Sequence, residues 1–266
     1  MKEYKVALLG CGKMVSALTL GWKDHVPFHH YTFTPSKTRA KDLAQKLEGT
    51  FVETLEQLPP CDIYLLGCKP QNVQELATDL KDKISKDAII ISVLAGVETK
   101  RLQELFGPSK VLRVMPNTPV LVGAGVNALY FSESFSTDEK TFFQKSFESF
   151  SMAKVFDQEE MIDVITGVSG SGPAYIFEFA RILSEKLVSM GLERETALDM
   201  VIETFYGASK LMKESNDSPL ELRNNVTSKK GVTHEALEVF KENQFESIVS
   251  KAIDAAFKRS VELSKS

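Results

Sequence analysis

Short apolar segments alternate with helix-like stretches over the first 160 residues, and this alternation constrains the fold more than any other feature of the chain. The segments are rich in Val, Ile and Leu and occupy residues 5–10, 31–34, 62–67, 88–93 and 111–115. Stretches with helical spacing, such as 37–47 and 72–80, separate them. Continuous apolar strands between helices are typical of a parallel sheet with both faces covered. We therefore predict a doubly wound α/β domain over residues 1–160, with weaker strand signals at 126–131 and 153–156 extending one edge.

The character of the chain changes at about residue 161, after which strand signals disappear. Helices predicted at 173–190, 193–213 and 245–256 are apolar around most of their circumference. Such helices must be buried on more than one side, and a region of this length has little room to bury several of them alone. We therefore predict an all-α dimerisation domain over residues 161–266. The alternative is an ordinary helical bundle packed on the N-terminal domain.

A glycine motif follows the first predicted strand and opens a helix. The strand ends at Leu9, and the next residues are Gly10-Cys11-Gly12-Lys13-Met14-Val15. In this position the first glycine permits a tight turn, and the second lets the backbone approach a pyrophosphate. We therefore predict a Rossmann-like dinucleotide site that includes Leu9, Gly10, Gly12, Lys13 and Met14. Val15 stands where the motif has Gly or Ala, which predicts looser packing between helix and sheet.

The end of the second predicted strand indicates which dinucleotide is bound. Enzymes that use NADH commonly place Asp or Glu there to bind the ribose 2′-hydroxyl, but no acidic residue occurs between Asp24 and Asp42. A hydroxyl and two cations stand there instead, at Ser36, Lys37 and Arg39, and they suit a 2′-phosphate at a helix start. We predict NADPH as the cofactor, with NADH possible. The alternative is that Ser36 is only the N-cap of a solvated helix.

Two further segments follow predicted strands. Cys68-Lys69-Pro70 comes after the strand at 62–67, and Ala95-Gly96 comes after the strand at 88–93. Ligands of doubly wound folds bind beyond the carboxyl ends of the strands. We therefore predict that both segments line the same cofactor crevice as the glycine motif.

The composition is that of a globular protein and argues against several kinds of partner. The chain is 43% hydrophobic and 26% charged, with a net charge of −4, which favours neither nucleic acid nor a membrane surface. Its apolar runs are too short to span a bilayer. Its three cysteines form neither a metal-ligand pair nor an even disulfide set, which favours a reducing cytoplasm. We expect the cysteines to pack rather than react, and we predict no metal site.

A polar stretch near the end of the chain predicts an anion site. Residues 220–237 read LELRNNVTSKKGVTHEAL, so that a polar run leads through Gly231 and Thr233 into a new amphipathic pattern. This is a loop that feeds the N-terminus of a helix. Such a terminus presents unpaired backbone N–H groups and a partial positive charge, which bind small anions such as carboxylates.

Several segments, taken in chain order, carry a resemblance to a known family. They read GCGKM at 10–14, CKPQ at 68–71, LAGV at 94–97, RVMPNTP at 113–119, GAGVNAL at 123–129, TGVSGSGPAY at 166–175 and ELRNNVTSKKGVTHEAL at 221–237. In these segments the chain resembles pyrroline-5-carboxylate reductases, the enzymes that make proline. The resemblance implies a Rossmann domain, a helical domain that forms an intertwined dimer and often a ring of dimers, and NAD(P)H-dependent reduction of 1-pyrroline-5-carboxylate to L-proline.

The resemblance also implies roles for individual residues. The loop at 225–232 would hold the substrate carboxylate, Thr233 would hydrogen-bond the ring nitrogen, and Glu159 would lie near the substrate. We expect Ser228 and Thr233 to be the catalytic side chains. The implied substrate-binding residues are Glu159, Asn225, Val226, Thr227, Ser228, Gly231, Val232 and Thr233.

The chain departs from the family's pattern inside this loop. The family usually reads Ser-Pro-Gly-Gly followed by a small residue and Thr, whereas this chain has Lys229 and Lys230 between Ser228 and Gly231. Glycine adopts a positive φ easily, and lysine does not. If the loop keeps the family's path, Lys230 is expected at positive φ. The departure leaves two alternatives open: a reductase of a different cyclic imine or keto acid, and a catalytically weak nucleotide-binding paralogue with a regulatory role.

Overall fold

The computed structural model describes residues 3–107 and 109–264. Backbone contacts divide the chain into two compact units. The N-terminal unit comprises Met1–Ser171 with Ala256–Ser266, and the helical unit comprises Gly172–Ala255. The domain boundary predicted after residue 160 remains a prediction. No helix in the described part of the chain is long and apolar enough to cross a membrane.

Eight strands form one sheet in the N-terminal unit. They are β1 (Tyr4–Leu9), β2 (Phe28–Phe33), β3 (Thr50–Phe51), β4 (Ile63–Leu66), β5 (Ile89–Ser92), β6 (Lys110–Pro116), β7 (Val126–Phe131) and β8 (Met152–Val155). Their order is β3-β2-β1-β4-β5-β6-β7-β8, and every neighbouring pair is parallel except β6 and β7. The chain moves outward from β1 to β3 and then returns to place β4 on the other side of β1. This order is the doubly wound arrangement predicted from the sequence.

Eleven α-helices are found in the described residues. They are α1 (Lys13–Trp22), α2 (Lys37–Leu47), α3 (Val73–Leu80), α4 (Thr99–Phe106), α5 (Thr137–Glu148), α6 (Glu160–Ile165), α7 (Gly172–Ser189), α8 (Arg194–Glu214), α9 (Pro219–Asn225), α10 (Val232–Glu242) and α11 (Phe245–Ser264). A single π-helical turn at Thr166–Gly170 joins α6 to the loop before α7.

The central strands bury side chains on both faces of the sheet. In β1, Val6 and Leu8 point into one apolar cluster, and Ala7 and Leu9 point into another. Helices α1, α2 and α5 cover the first face, and α3 and α4 cover the second. Because consecutive residues of a strand face opposite ways, a central strand covered on both sides must be apolar throughout. This is why these strands read as continuous apolar runs.

The helical unit leaves large apolar side chains exposed in the single chain. Its exposed residues include Ile176, Phe177, Ile182, Met190, Met200, Ile202, Tyr206, Leu211 and Ile248. Phe177 is 66% exposed and Met190 is 69% exposed. Many exposed large apolar side chains in one helical unit indicate an interface. The predicted all-α region is confirmed, and its over-wide apolar faces are present as expected.

Candidate functional site: a dinucleotide crevice and an anion-binding loop

A crevice lies at the carboxyl ends of β1 and β4, where the order of the strands reverses. Its volume is about 480 Å³, which is within the range of cofactor sites. The lining includes predicted site residues from three separate segments, namely Leu9, Gly10, Gly12, Ser36, Arg39, Cys68 and Lys69. The fold therefore brings the first glycine turn, the end of β2 and the end of β4 to one place.

Gly10 and Gly67 let the β1 and β4 ends approach each other. Gly10 has φ +109°, and a Cβ built there would lie 2.5 Å from the backbone carbonyl carbon of Gly67. Any larger residue at Gly10 would be strained and would collide with backbone. A Cβ at Gly12, in contrast, would meet nothing within 4 Å. The fold does not itself require glycine at this position, so the open space beside Gly12 fits a ligand that approaches the backbone.

The prediction of looser packing behind the glycine turn is wrong, because Val15 is closely packed there. The residue is only 1% exposed, so the helix is packed closely at this point. A Cβ at Gly67 would lie 2.1 Å from Val15 Cγ2. The absence of a side chain at Gly67 therefore makes the room that the larger side chain at position 15 needs.

The start of α1 is suited to a phosphate group. Gly12 is its N-cap and supplies no side-chain hydrogen bond, and the first turn contains no acidic residue. The backbone N–H groups of Lys13 and Met14 belong to the first turn, where helical partners are lacking and the helix dipole is positive. The residues present therefore fit the pyrophosphate of a dinucleotide.

The end of β2 supplies positive charge to the crevice. Ser36 is the N-cap of α2 but makes no capping hydrogen bond with its side chain, so its hydroxyl is available to a ligand. Arg39 lines the crevice and forms no ion pair within the described residues. Lys37 differs, because its Nζ lies 2.6 Å from Glu53 Oε1 in an ion pair. Of the three predicted 2′-phosphate ligands, Ser36 and Arg39 face the crevice and Lys37 is engaged with a neighbouring carboxylate.

The remaining predicted cofactor residues also follow strand ends. Cys68 is partly buried, and burial raises the pKa of its thiol, so the thiol stays protonated at neutral pH. Pro70 begins a short 3-10 turn that stops the chain from continuing β4. Ala95 and Gly96 follow β5, and Gly96 has φ +72°. Pro70, Ala95 and Gly96 lie outside the residues that line the crevice, so their contact with the cofactor remains a prediction.

Glu159 is held by three hydrogen bonds inside the N-terminal unit. Its Oε1 accepts from the backbone N–H of Thr99 and from Arg113 Nη1, each at 2.7 Å, and its Oε2 accepts from Thr99 Oγ1 at 2.6 Å. Charge-assisted bonds of this kind are short and strong. Thr99 begins α4 directly after the loop that contains Ala95 and Gly96. In the structure Glu159 therefore anchors the end of that loop.

A second carboxylate extends this buried network. Arg113 has a side chain that is 2% exposed, and its Nη2 lies 4.0 Å from Asp163 Oδ1. The same oxygen accepts a hydrogen bond from Ser260 Oγ at 2.8 Å. The network thus joins β6, the starts of α4 and α6, and the end of α11.

The predicted substrate residues of the helical unit form one connection between α9 and α10. Asn225 ends α9, and Val226, Thr227 and Ser228 follow it. A turn is closed by a 3.0 Å hydrogen bond from the Gly231 N–H to the Ser228 carbonyl oxygen. A Cβ at Gly231 would lie 2.2 Å from Ser228 Oγ, so a larger residue there would force the Ser228 hydroxyl to move.

Helix α10 begins at the end of this turn without a side-chain cap. Gly231 is its N-cap, and Val232 and Thr233 are its first two residues. Val232 is 91% exposed, so its side chain contributes little packing. An uncapped helix start beside the hydroxyls of Ser228 and Thr233 is a local arrangement that can bind a small anion, although Glu235 also lies in this first turn. The anion site therefore remains a prediction.

Lys230 has φ +54°, which confirms the prediction of a left-handed residue at this point of the loop. The neighbouring Lys229 and Lys230 side chains are both exposed. The loop therefore carries two solvated positive charges while it keeps a backbone path that favours glycine.

Sequence reasoning missed residues that reach the site only through tertiary structure. Leu55, Asn72 and Leu76 line the crevice, and none of the three lies in a motif. Gly67 could have been found, since it ends a predicted strand and a glycine there permits close approach to the glycine turn. Thr99 carried no signal that distinguishes it from an ordinary helix start.

The crevice and the sheet around it define a class of protein, namely one that binds a dinucleotide on a Rossmann-like fold. Two family models match the chain. "NADP oxidoreductase coenzyme F420-dependent" matches residues 5–96, and "Pyrroline-5-carboxylate reductase dimerisation" matches residues 159–263. The first match covers the crevice, and the second covers the helical unit.

Individual relatives resemble the chain over its whole length. The pyrroline-5-carboxylate reductase of Arabidopsis thaliana is 32% identical over 270 residues, covering 100% of this chain and 97% of the relative. A solved pyrroline-5-carboxylate reductase from Coxiella burnetii has a TM-score of 0.87 at 28% identity, with 100% of both chains covered. The Plasmodium falciparum pyrroline carboxylate reductase, solved with NADP bound, has a TM-score of 0.86 at 27% identity and 99% coverage of both chains. The chain belongs to the pyrroline-5-carboxylate reductase family.

Proposed function

We propose that the protein reduces 1-pyrroline-5-carboxylate to L-proline with NADPH as the hydride donor. The observation that carries this proposal is the connection between α9 and α10. There Ser228, Gly231 and Thr233 form one turn that ends on an uncapped helix N-terminus. Full-length similarity to enzymes of this name supports the same activity. The cofactor crevice of the N-terminal unit supports the choice of a dinucleotide.

NADPH is the preferred cofactor in this proposal. The support comes from Ser36 and Arg39 in the crevice lining, from the absence of an acidic residue between Asp24 and Asp42 in the sequence, and from the match to an NADP oxidoreductase family. A 2′-phosphate would receive charge-assisted hydrogen bonds there.

The chain contributes binding and orientation to the reaction. When bound, NADPH supplies the hydride. The Ser228 hydroxyl and the first-turn N–H groups of α10 hold the substrate carboxylate, and the Thr233 hydroxyl oxygen accepts a hydrogen bond from the protonated ring nitrogen. Addition of a hydride to the imine carbon moves the C=N electron pair onto that nitrogen and yields the cyclic amine. Most of the catalysis is then positioning.

We also propose that the protein works as a homodimer in the cytoplasm. The exposed apolar faces of the helical unit and its match to a dimerisation family support the dimer. The family resemblance also implies a ring of such dimers, and this assembly remains a prediction. The free thiols of Cys11, Cys61 and Cys68 support a reducing compartment.

The proposal is tested by following NADPH absorbance with 1-pyrroline-5-carboxylate and a panel of other cyclic imines and keto acids. We expect kcat/KM to be highest for 1-pyrroline-5-carboxylate. Thr233→Val keeps the shape of the side chain and removes its hydroxyl. It should lower kcat/KM by about ten- to hundredfold, because a hydrogen bond to a charged group contributes about 1.5–3 kcal/mol.

The affinity of the Thr233→Val variant for NADPH serves as the control and should not change. A wild-type enzyme that prefers another imine or a keto acid would refute the proposed substrate. Unchanged kinetics in Thr233→Val would refute the proposed role of its hydroxyl.

A further inference from the structure

One of the two cations predicted to bind the 2′-phosphate, Lys37, is paired with a carboxylate of the protein instead of lining the crevice. Lys37 is the first residue of α2 and lies between Ser36 and Arg39, which both line the crevice. Its Nζ instead lies 2.6 Å from Glu53 Oε1. The two side chains are about equally exposed, at 57% and 54%, so the pair is a solvated one that a stronger anion can displace.

Glu53 belongs to the same neighbourhood as the crevice. It lines an adjoining depression that shares Phe33, Leu55 and Asp79 with the crevice itself. Lys37 holds the pKa of the Glu53 carboxyl below its usual range by hydrogen bonding and by its charge, and Lys41 adds a smaller contribution. The carboxylate is therefore ionised at neutral pH and partly cancels the positive charge at the start of α2.

We propose that Glu53 is a specificity-determining residue that weakens recognition of the 2′-phosphate by binding Lys37. The inference rests on the proposed use of NADPH in this crevice. In this arrangement Arg39 and Ser36 carry the discrimination between the two dinucleotides. Lys37 can bind the 2′-phosphate only when its ion pair with Glu53 breaks. Glu53 is therefore a positioning residue that acts through Lys37.

Glu53→Gln should tighten the binding of a nucleotide that carries a 2′-phosphate. The amide keeps the shape of the side chain and removes its charge, so Lys37 becomes free to approach a 2′-phosphate. Binding of 2′,5′-ADP, which carries that phosphate, should tighten by about two- to fivefold at low ionic strength. Binding of 5′-AMP, which differs from 2′,5′-ADP only in lacking that phosphate, should be unchanged. The gain should shrink in high salt, since exposed charges are screened there.

Isothermal titration calorimetry with the two nucleotides measures these affinities directly and does not depend on turnover. Glu48→Gln is a control, because Glu48 is exposed, forms an ion pair with Lys23 at 2.7 Å, and neither residue lines the crevice. It should leave both affinities unchanged. Glu53→Gln in a Lys37→Met background completes the cycle and should give a much smaller gain.

Each outcome decides one claim. A selective gain for 2′,5′-ADP that largely disappears in the Lys37→Met background supports the inference. An unchanged affinity in Glu53→Gln overturns it and leaves the proposed reaction intact. A gain of equal size without Lys37 overturns the route through Lys37. If the wild-type protein binds 2′,5′-ADP no better than 5′-AMP, the proposed preference for NADPH fails, and the inference fails with it.

Discussion

At the scale of single residues, Lys230 shows how a departure from a family pattern is accommodated. The residue keeps φ +54°, a conformation that costs a lysine about 1–2 kcal/mol relative to glycine. The loop therefore carries backbone strain at Lys230. Lys229 and Lys230 also place two positive charges in the proposed carboxylate loop, and these charges would attract an anionic substrate.

Lys230→Gly separates strain from charge. We expect the free energy of unfolding to rise by about 1 kcal/mol, because glycine adopts this φ without a steric penalty. The KM for 1-pyrroline-5-carboxylate should stay nearly unchanged at any salt concentration. Chemical denaturation and steady-state kinetics at two ionic strengths measure both quantities.

Gln244→Gly is the matched control for this change. Gln244 has the same φ of +54° and joins α10 to α11, outside the proposed substrate loop, so it should gain stability without any kinetic change. A KM that rises in Lys230→Gly and approaches the wild-type value in high salt would show that the charge of Lys230 matters more than its strain. A fall in both stability and activity would contradict both explanations and remove support for the carboxylate contacts.

We expect the protein to lose stability at acid pH because His30 is buried in its neutral form. The residue is 2% exposed, and both of its ring nitrogens lack a hydrogen-bond partner in the described structure. Burial, with a smaller contribution from His29, lowers the pKa of His30 from 6.5 to about 4. The unfolded chain therefore binds a proton at higher pH than the folded chain. The stability that depends on neutral His30 is complete above pH 6.5 and is lost as the pH falls towards 4.

His30→Phe should remove this dependence. Between pH 6.5 and 4 the wild-type protein should lose about 2–3 kcal/mol more unfolding free energy than the variant, since each pKa unit corresponds to about 1.4 kcal/mol. Urea denaturation of both proteins across this range measures the difference. Parallel pH profiles would show that His30 does not titrate as described.

At the scale of secondary-structure elements, the buried network around Arg113 joins the loop after β5 to α6. Glu159→Gln would leave the 98% buried Arg113 side chain without its close carboxylate, which should cost about 3 kcal/mol of unfolding free energy. Thr99→Val removes only one hydroxyl hydrogen bond and should cost about 1–2 kcal/mol. Thermal and chemical denaturation measure both losses.

Glu104→Gln is the control for the network, because Glu104 forms an exposed pair with Arg101 at 3.5 Å and should contribute little. If Glu159 acts as an anchor, both network variants lose stability together. A Glu159→Gln variant of normal stability with weakened substrate binding would instead support the direct substrate contact that the family resemblance implies.

The strands and helices of the N-terminal unit could be predicted because their signal is local. Apolar runs predicted seven of the eight strands within a few residues, whereas β3, with two residues, is too short for a periodic signal. The antiparallel pairing of β6 and β7 depends on tertiary packing and carries no local mark. In the site, too, features set by neighbouring residues could be predicted, and features set by distant residues could not.

Two features of the site, the Lys37–Glu53 ion pair and the space for Val15, could not be predicted from the sequence, because each depends on residues far apart in the chain. The glycine turn and the start of α2 were recognisable because each function depends on neighbouring residues. The partner of Lys37 lies 16 residues further along the chain, and the room for Val15 is made at Gly67. Such pairings are set by the fold, and no spacing rule predicts them.

At the scale of the whole molecule, the exposed helical faces predict an obligate dimer. Static light scattering on dilute protein should show no folded monomer. Phe177→Asp places a charge on a residue that is 66% exposed in the single chain and should weaken association, because a dimer interface would have to bury that charge. Leu20→Asp, on α1 in the N-terminal unit and also exposed, is the control and should leave the oligomeric state unchanged. A fully active, well-folded wild-type monomer would refute the dimer.

The transfer of hydride from NADPH to the imine carbon is tested most directly by isotope labelling. The protein is incubated with 1-pyrroline-5-carboxylate and NADPH that carries two deuterium atoms at the hydride-donating carbon of its nicotinamide. We predict L-proline with one deuterium, bonded to the carbon that was the imine carbon, as mass spectrometry and NMR would show. Proline without deuterium, deuterium at another carbon, or no proline from a folded protein would contradict the proposed reaction.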